Sequence, residues 1–456
     1  MLSKLREIRD RFANWFDMLA GSRRSRIGIA VVLAAFHLAM FARAGHVRLD
    51  SPFNSSPGEA PYYSDINAYA TIGAVRQPHH WSRLIVSRWD AEHYIGFAVR
   101  GLKACPSEAD PEGEDPRMTD FKYLECGLGW QPAYGAVGGL LSRITSIPED
   151  YSLVVISVLA TILANLLWTS SVFVKRLGNR ESLGALIAFN AFPSAFHLVA
   201  PFTEGTTFML MLAGFVALAN DRWVISGLLI GASTALRTAA VAYSAAFGLA
   251  ALYAAYTRYR AKEAKWWKPL LGIPLCGWSM ALQMLILKLT VGDALAYVRA
   301  RTAFGDNHDY FRLFSPEFIL KAISEQHLDG FVLIACLAII SLTVREVVKK
   351  LGTAESIFMI AASIFGIILG AAGLIARGDG SEVAGTWGLN RYMLMCPITF
   401  VCAGVMLRKY PATFLLWLVL SLEIYWHVEL CSYVTQGNPE LCPCLGRFQF
   451  GLPFVS

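Results

Sequence analysis

Four short stretches hold the residue types that acid–base and phosphate chemistry needs. "SRWDAEHY" (87–94) packs Arg88, Asp90, Glu92 and His93 into eight residues, Glu204 sits in "PFTEG", Arg237 in "LRTAA", and Arg391 with Tyr392 in "GLNRY". A positioned carboxylate or histidine can take the proton from an attacking hydroxyl. A guanidinium offers a planar fork of N–H donors that matches a phosphate. Asp90 is the candidate base, and Arg88, Glu92, His93, Glu204, Arg237, Arg391 and Tyr392 are the candidate substrate- and phosphate-binding residues. Each also has a plain structural role. Ser87 and Asp90 fit a capping box at the start of an amphipathic helix, Glu204 suits a helix N-terminus, and Arg237 can snorkel to an interface. Asp90, Glu92, His93, His79 and His80 are potential metal ligands, but no spacing among them is diagnostic, and no metal or cofactor is assigned.

The elements that must hold these residues are apolar. Of 456 residues 55% are hydrophobic and 16% charged, with a mean hydropathy of +0.45. A soluble chain would carry about 25% charge, and runs of membrane-spanning length recur. The expected fold is an all-α polytopic membrane protein. The formal charge of +6 is modest and its basic residues collect in short turns, a topology signal that argues against nucleic-acid binding.

Residues 1–26 are expected to form a cytoplasmic amphipathic N-terminus, with seven basic residues ahead of a first transmembrane helix at 27–44. Residues 45–130 form a large extracytoplasmic loop with twelve acidic and eight basic residues. A multi-span domain follows over 131–432, and 433–456 is an extracytoplasmic tail. The segment "WQPAYGAVGGLLSRI" (130–144) is short and glycine-rich. If it re-enters rather than crosses, "KRLGNR", "NDRW", "TRYRAKEAKWWK", "REVVKK" and "RKYP" all fall in the cytoplasm, as the positive-inside rule favours. The expectation is therefore about eleven spans, including 183–199, 223–239, 240–256 and 391–407. Asp90, Glu204, Arg237 and Arg391 then share the outer face. Boundary charges are costly and usually point into a cavity, so one shared site is expected. Cys105, Cys126, Cys431, Cys442 and Cys444 also face outward, and Cys105 and Cys126 are the candidate disulfide.

Taken in order, the motif segments resemble those of the PIG-V-type mannosyltransferases of the GT-C glycosyltransferase superfamily. "RWDAEHYIGFAVRGL" is similar to their W-D-x-x-x-Y-x-x-I-A-x-x-G-Y segment and "QPAYG" to P-L-Y-P. "NAFPSAFHLVAPFTEGTTFML" is similar to N-P-x-x-x-F-x-x-x-Y-[ST]-E-[SA]-x-F, "SGLLIGASTALRTAA" to G-L-L-x-x-x-A-x-x-x-R-x-x-G, and "NRYMLMCPITF" to R-Y-x-x-x-x-x-P. The resemblance implies a GT-C fold with the catalytic aspartate, here Asp90, in the first outer loop. Glu204, Arg237 and Arg391 would line the same cavity. It further implies a polyprenyl-phosphate sugar donor, with mannose favoured, a glycan or glycolipid acceptor, and inverting transfer without a metal. The bilayer is the setting: a bacterial inner membrane first, the endoplasmic reticulum if the chain is eukaryotic. A lipid-linked-sugar flippase and a non-catalytic subunit of a glycosylation complex are the alternatives.

Overall fold

In a computed structural model, residues 11, 14, 17–49, 90–102, 127–303, 327–375, 389–426 and 430 are described. All regular structure among them is helical. In chain order the α-helices are α1 (Arg23–Leu49), α2 (Asp90–Arg100), α3 (Ala133–Thr145), α4 (Glu149–Trp168), α5 (Ser171–Leu177), α6 (Asn179–Asn190), α7 (Glu204–Ala219) and α8 (Trp223–Ser233). They continue as α9 (Val241–Arg260), α10 (Trp278–Thr290), α11 (Ala296–Ala303), α12 (His327–Lys350), α13 (Thr353–Ile375), α14 (Leu389–Met393), α15 (Pro397–Lys409) and α16 (Pro411–Ile424). Among the described residues five helical stretches are long and apolar enough to cross a membrane: 23–44, 149–177, 238–260, 268–290 and 331–350. Four shorter apolar helices accompany them. Helix α3, with 13 residues, reaches only about 20 Å, short of a hydrocarbon core of about 30 Å.

Lipid tails are as apolar as leucine, so these helices associate through close packing and internal hydrogen bonds. Ala242, Ala246, Ala250 and Ala254 recur every four residues along α9, all buried, and α9 packs along α13. Helices α6 and α15 cross where Gly184 faces Gly404. Polar side chains bind the bundle internally. His37 of α1 contacts the Tyr425 hydroxyl at 3.0 Å and Asn190 Oδ1 at 3.2 Å, and Asn190 exchanges hydrogen bonds with Asn165. Asn165 also donates to the Ala30 carbonyl.

Three expected spans are broken. In place of one helix over 183–199, α6 ends at Asn190 and an irregular stretch with one 3-10 turn, Ala195–Leu198, leads to α7. Pro193 and Pro201 remove amide donors there. Residues 191–205 are all buried, the condition under which irregular backbone is tolerated at membrane depth. Helix α4 supplies donors to this stretch: Thr161 donates to the Leu198 carbonyl and Ser157 to that of Phe202. The span expected at 391–407 is instead the short α14, a break at 394–396, and α15 with Pro397 in its first turn. Likewise α8 stops at Ser233, and Arg237 has extended backbone before the 3-10 turn Thr238–Ala240. Each break lies next to or carries one of the singled-out charges: 191–203 precedes Glu204, 234–237 carries Arg237, and 394–396 follows Arg391.

The ends of the bundle differ. One end gathers the starts of α7, α9 and α15. The other gathers the basic turns, joined across helices by Arg176–Glu355 at 2.7 Å, Lys350–Glu181 at 2.7 Å and Arg408–Glu181 at 2.9 Å.

Candidate active site

The position of Asp90 follows from the glycines of α3. Helix α2 lies against α3 so closely that a Cβ added to Gly135 would sit 2.5 Å from the Tyr94 carbonyl oxygen, and one on Gly139 would meet the Ala98 carbonyl. The edge of the Tyr94 ring meets Tyr134 at 5.2 Å between centroids, and the Tyr134 hydroxyl donates to the Leu153 carbonyl of α4 at 2.7 Å. Helices α2, α3 and α4 are thereby fixed to one another, and Asp90, the first residue of α2, is held at the end of the bundle where α7 begins.

Arg391 joins the two carboxylates. Its Nη1 donates to Asp90 Oδ2 at 2.6 Å and its Nε donates to Glu204 Oε1. Arg237 donates through Nη1 to the same Glu204 oxygen. Aromatic rings flank both guanidiniums: Arg391 lies 4.5 Å from the Phe202 centroid and Arg237 4.7 Å from that of Tyr392. Glu204 is fully buried, whereas the Asp90 side chain retains 30% exposure. Two carboxylates and two guanidiniums leave the group formally neutral. Burial raises the Asp90 carboxyl, but the Arg391 guanidinium more than offsets this. With help from His93 and the Trp130 indole N–H, it holds Asp90 well below the usual carboxylate range.

His93, one helical turn beyond Asp90, stacks on Trp130 with centroids 3.4 Å apart and planes 12° from parallel. Helix α11 reaches the other flank: the Tyr297 hydroxyl bonds Thr238, next to Arg237, while Ala296 and Ala300 pack against Phe97 and Leu128. The Asn390 carbonyl, beside Arg391, accepts from Ser194 at 2.9 Å, which ties α14 to the irregular 191–203 stretch.

The structure thus brings together Asp90, His93, Glu204, Arg237, Arg391 and Tyr392, which are separated by up to about three hundred residues in sequence. Arg88, Cys105 and Cys126 lie outside the described residues, as do Ser87, His79, His80 and the side chain of Glu92. Trp130, Phe202 and His197 belong to the site but were not singled out from the sequence. Trp130 bonds Asp90, and the buried His197 lies edge-on to Phe202 at 5.1 Å. Their signal was present, since Trp130 precedes "QPAYG" and Phe202 and His197 fall within the glutamate motif, but an aromatic in an apolar segment usually means packing. Among the described residues no three His, Cys, Asp or Glu side chains are grouped to hold a metal ion.

Compared with known proteins, the chain matches no family model, no curated protein and no solved structure. The side chains of the site offer a partly exposed carboxylate kept ionised, two arginines with further N–H donors, and aromatic rings packed against both guanidiniums.

Proposed function

We propose that the chain is a membrane glycosyltransferase that moves a sugar, with mannose favoured, from a polyprenyl-phosphate donor to an acceptor hydroxyl. The observation that carries this reading is the convergence of Asp90, Glu204, Arg237 and Arg391, from four separate segments, at one end of an apolar bundle. Buried charges are expensive unless paired, and a lattice of four in which one carboxylate, Asp90, stays partly exposed suits a reaction in which charge moves. The acceptor oxygen attacks the anomeric carbon and its proton passes to Asp90. The bond from that carbon to the phosphate oxygen breaks, and the lipid phosphate leaves with the electron pair.

The pairing of Asp90 with Arg391 bears on how the base is activated. A carboxylate tied to a guanidinium is a weak base. A donor phosphate approaching Arg391 and Arg237 competes for the same N–H donors, which loosens the hold on Asp90 and raises its basicity as the reacting groups assemble. The phosphate is then drawn by partial exchange of partners rather than by uncompensated positive charge.

A second reading, a transporter of lipid-linked sugars, draws on the helix breaks at 191–203 and 394–396 beside the charges, since broken spans are typical of transporter sites. The two separate in one experiment. The purified chain in lipid vesicles is given polyprenyl-phosphate mannose, glucose or arabinose with a mixed acceptor pool. A product heavier by one sugar supports transfer. Movement of the lipid-linked sugar across the vesicle with no new product overturns it.

A further inference from the structure

The connection between α9 and the 3-10 segment Lys268–Leu275 forms an exposed polar surface at the basic end, with residues 259–267 continuously exposed. Over 256–268 it carries five basic residues and one acidic one. Elsewhere at this end many cations are matched by carboxylates, as in Arg176–Glu355, Lys350–Glu181, Arg408–Glu181 and Lys409–Glu346. Here Arg258 forms the ion pairs, and Lys268 acts on the same Asp221. Arg258 pairs with Asp221, lies 5.9 Å from the Trp223 ring, and faces Glu263 at 3.9 Å, so it pins the base of the turn to the α7–α8 connection. Arg260, Lys262 and Lys265 have no carboxylate within ion-pair distance among the described residues. The tip is shaped by its own backbone, with Lys262 in the left-handed region at φ 55°. Exposed aromatics surround these cations: Tyr256, Tyr259, Trp266 and Trp267, with the Tyr259 and Trp266 rings edge to face at 5.5 Å.

We infer that this turn is a docking surface for anionic phospholipid headgroups. It joins two stretches long and apolar enough to cross a membrane, 238–260 and 268–290, so its place is the layer where hydrocarbon meets water. Tyrosine and tryptophan concentrate at that depth. Unpaired lysines and arginines there meet the phosphates of acidic lipids, each adding attraction that falls off within a Debye length. A soluble acidic partner would have to displace rings that already suit the headgroup layer. The three cations are held on a pinned turn, so they engage lipid together.

The test places the full chain in nanodiscs of phosphatidylcholine alone or mixed with phosphatidylglycerol, and counts retained lipids by native mass spectrometry. Wild type should hold phosphatidylglycerol in preference to phosphatidylcholine, and the preference should fall with added salt. The variant R260Q/K262Q/K265Q should melt as wild type in phosphatidylcholine and lose on the order of 10-fold or more of the preference. If it melts early, the three single substitutions are read instead, each expected to lower the preference by about two- to five-fold. An unchanged preference in these variants, or one that salt does not move, overturns the inference. Binding to a soluble acidic protein with no lipid preference also overturns it.

Discussion

Arg391 contacts Asp90 with one nitrogen of its guanidinium and Glu204 with another, so a single side chain of α14 holds the first residue of α2 and the first residue of α7 in register. The consequence is both structural and chemical. Asp90 cannot shift without Arg391, and the basicity of Asp90 depends on how fully Arg391 is shared.

The pH dependence follows from this pairing. The Asp90 carboxyl is held below its ordinary value, so the pair's stabilisation is fully present above about pH 4 and is lost as pH falls through the lowered value. Asp90 therefore stays ionised throughout the neutral range. Arg391→Gln removes the guanidinium while Asp90 and Glu204 remain, so burial should raise the Asp90 carboxyl and move any acid limb of the pH–rate profile upward by about one unit or more. The same substitution should destabilise by about 1–3 kcal/mol, because Asp90 loses its ion-pair partner while Glu204 keeps Arg237. A profile and melting temperature that match wild type would refute the coupling.

Arg237→Lys keeps the charge but removes the planar group that contacts Glu204 while lying over the Tyr392 ring. An ammonium cannot reproduce that geometry. The expected result is a higher KM for the lipid donor, with a loss of about 1–2 kcal/mol in stability. An Arg237 that only snorkels to the interface would leave both quantities unmoved.

Gly139→Ala tests whether the α2–α3 contact positions Asp90. The added methyl meets the Ala98 carbonyl and forces the helices apart. Overpacking of this kind typically costs about 1–3 kcal/mol, and turnover should fall further than stability alone explains. Gly28→Ala, with nothing within 4 Å of the added carbon, is the matched control and should be silent in kcat and in melting.

The helical class and most element positions were legible from the apolar runs, and so was the grouping of Glu204, Arg237 and Arg391 at one end, because the basic turns mark the other. The breaks at 191–203 and 394–396 were not. Hydropathy registers only that "AFHLVAPF" and "MLMCP" are apolar, and apolar residues read alike in a helix and in a buried irregular stretch. The prolines marked the places without showing how far each helix stops short. That Arg391 serves both carboxylates, and that Trp130 and Phe202 complete the site, depends on contacts between segments far apart in sequence.

Asp90→Asn separates a base from a structural ion-pair partner. Asparagine keeps the size and still accepts a hydrogen bond from Arg391, so the packing of α2 should survive. It removes the basic oxygen, and general-base catalysis typically contributes about 10²–10⁴-fold. Sugar transfer should therefore fall by at least about 100-fold in variants matched for melting temperature, with donor KM little changed. Near-normal turnover would reduce Asp90 to a helix-terminal partner of Arg391 and move the search for the base to His93.

Orientation in the membrane is the remaining prediction, and it governs which pool of substrate the site meets. Helix α4 begins beyond the site and, with α5, ends at the basic turn. Ser157 and Thr161 mark the depth of the site, through their bonds to the Phe202 and Leu198 carbonyls. Ser146, exposed just before α4, then lies on the site's side, while the exposed Asn179 and Asn220 lie at the other end with the basic turns. The positive-inside rule places those turns in the cytoplasm. Single-cysteine variants at the three positions, made with the native cysteines replaced, should give one pattern in sealed cells with an impermeant thiol reagent. Ser146→Cys should label in intact cells, and Asn179→Cys and Asn220→Cys only after lysis. The reverse pattern would put Asp90 in the cytoplasm, where nucleotide-linked sugars are available and a lipid-phosphate donor is no longer the natural choice.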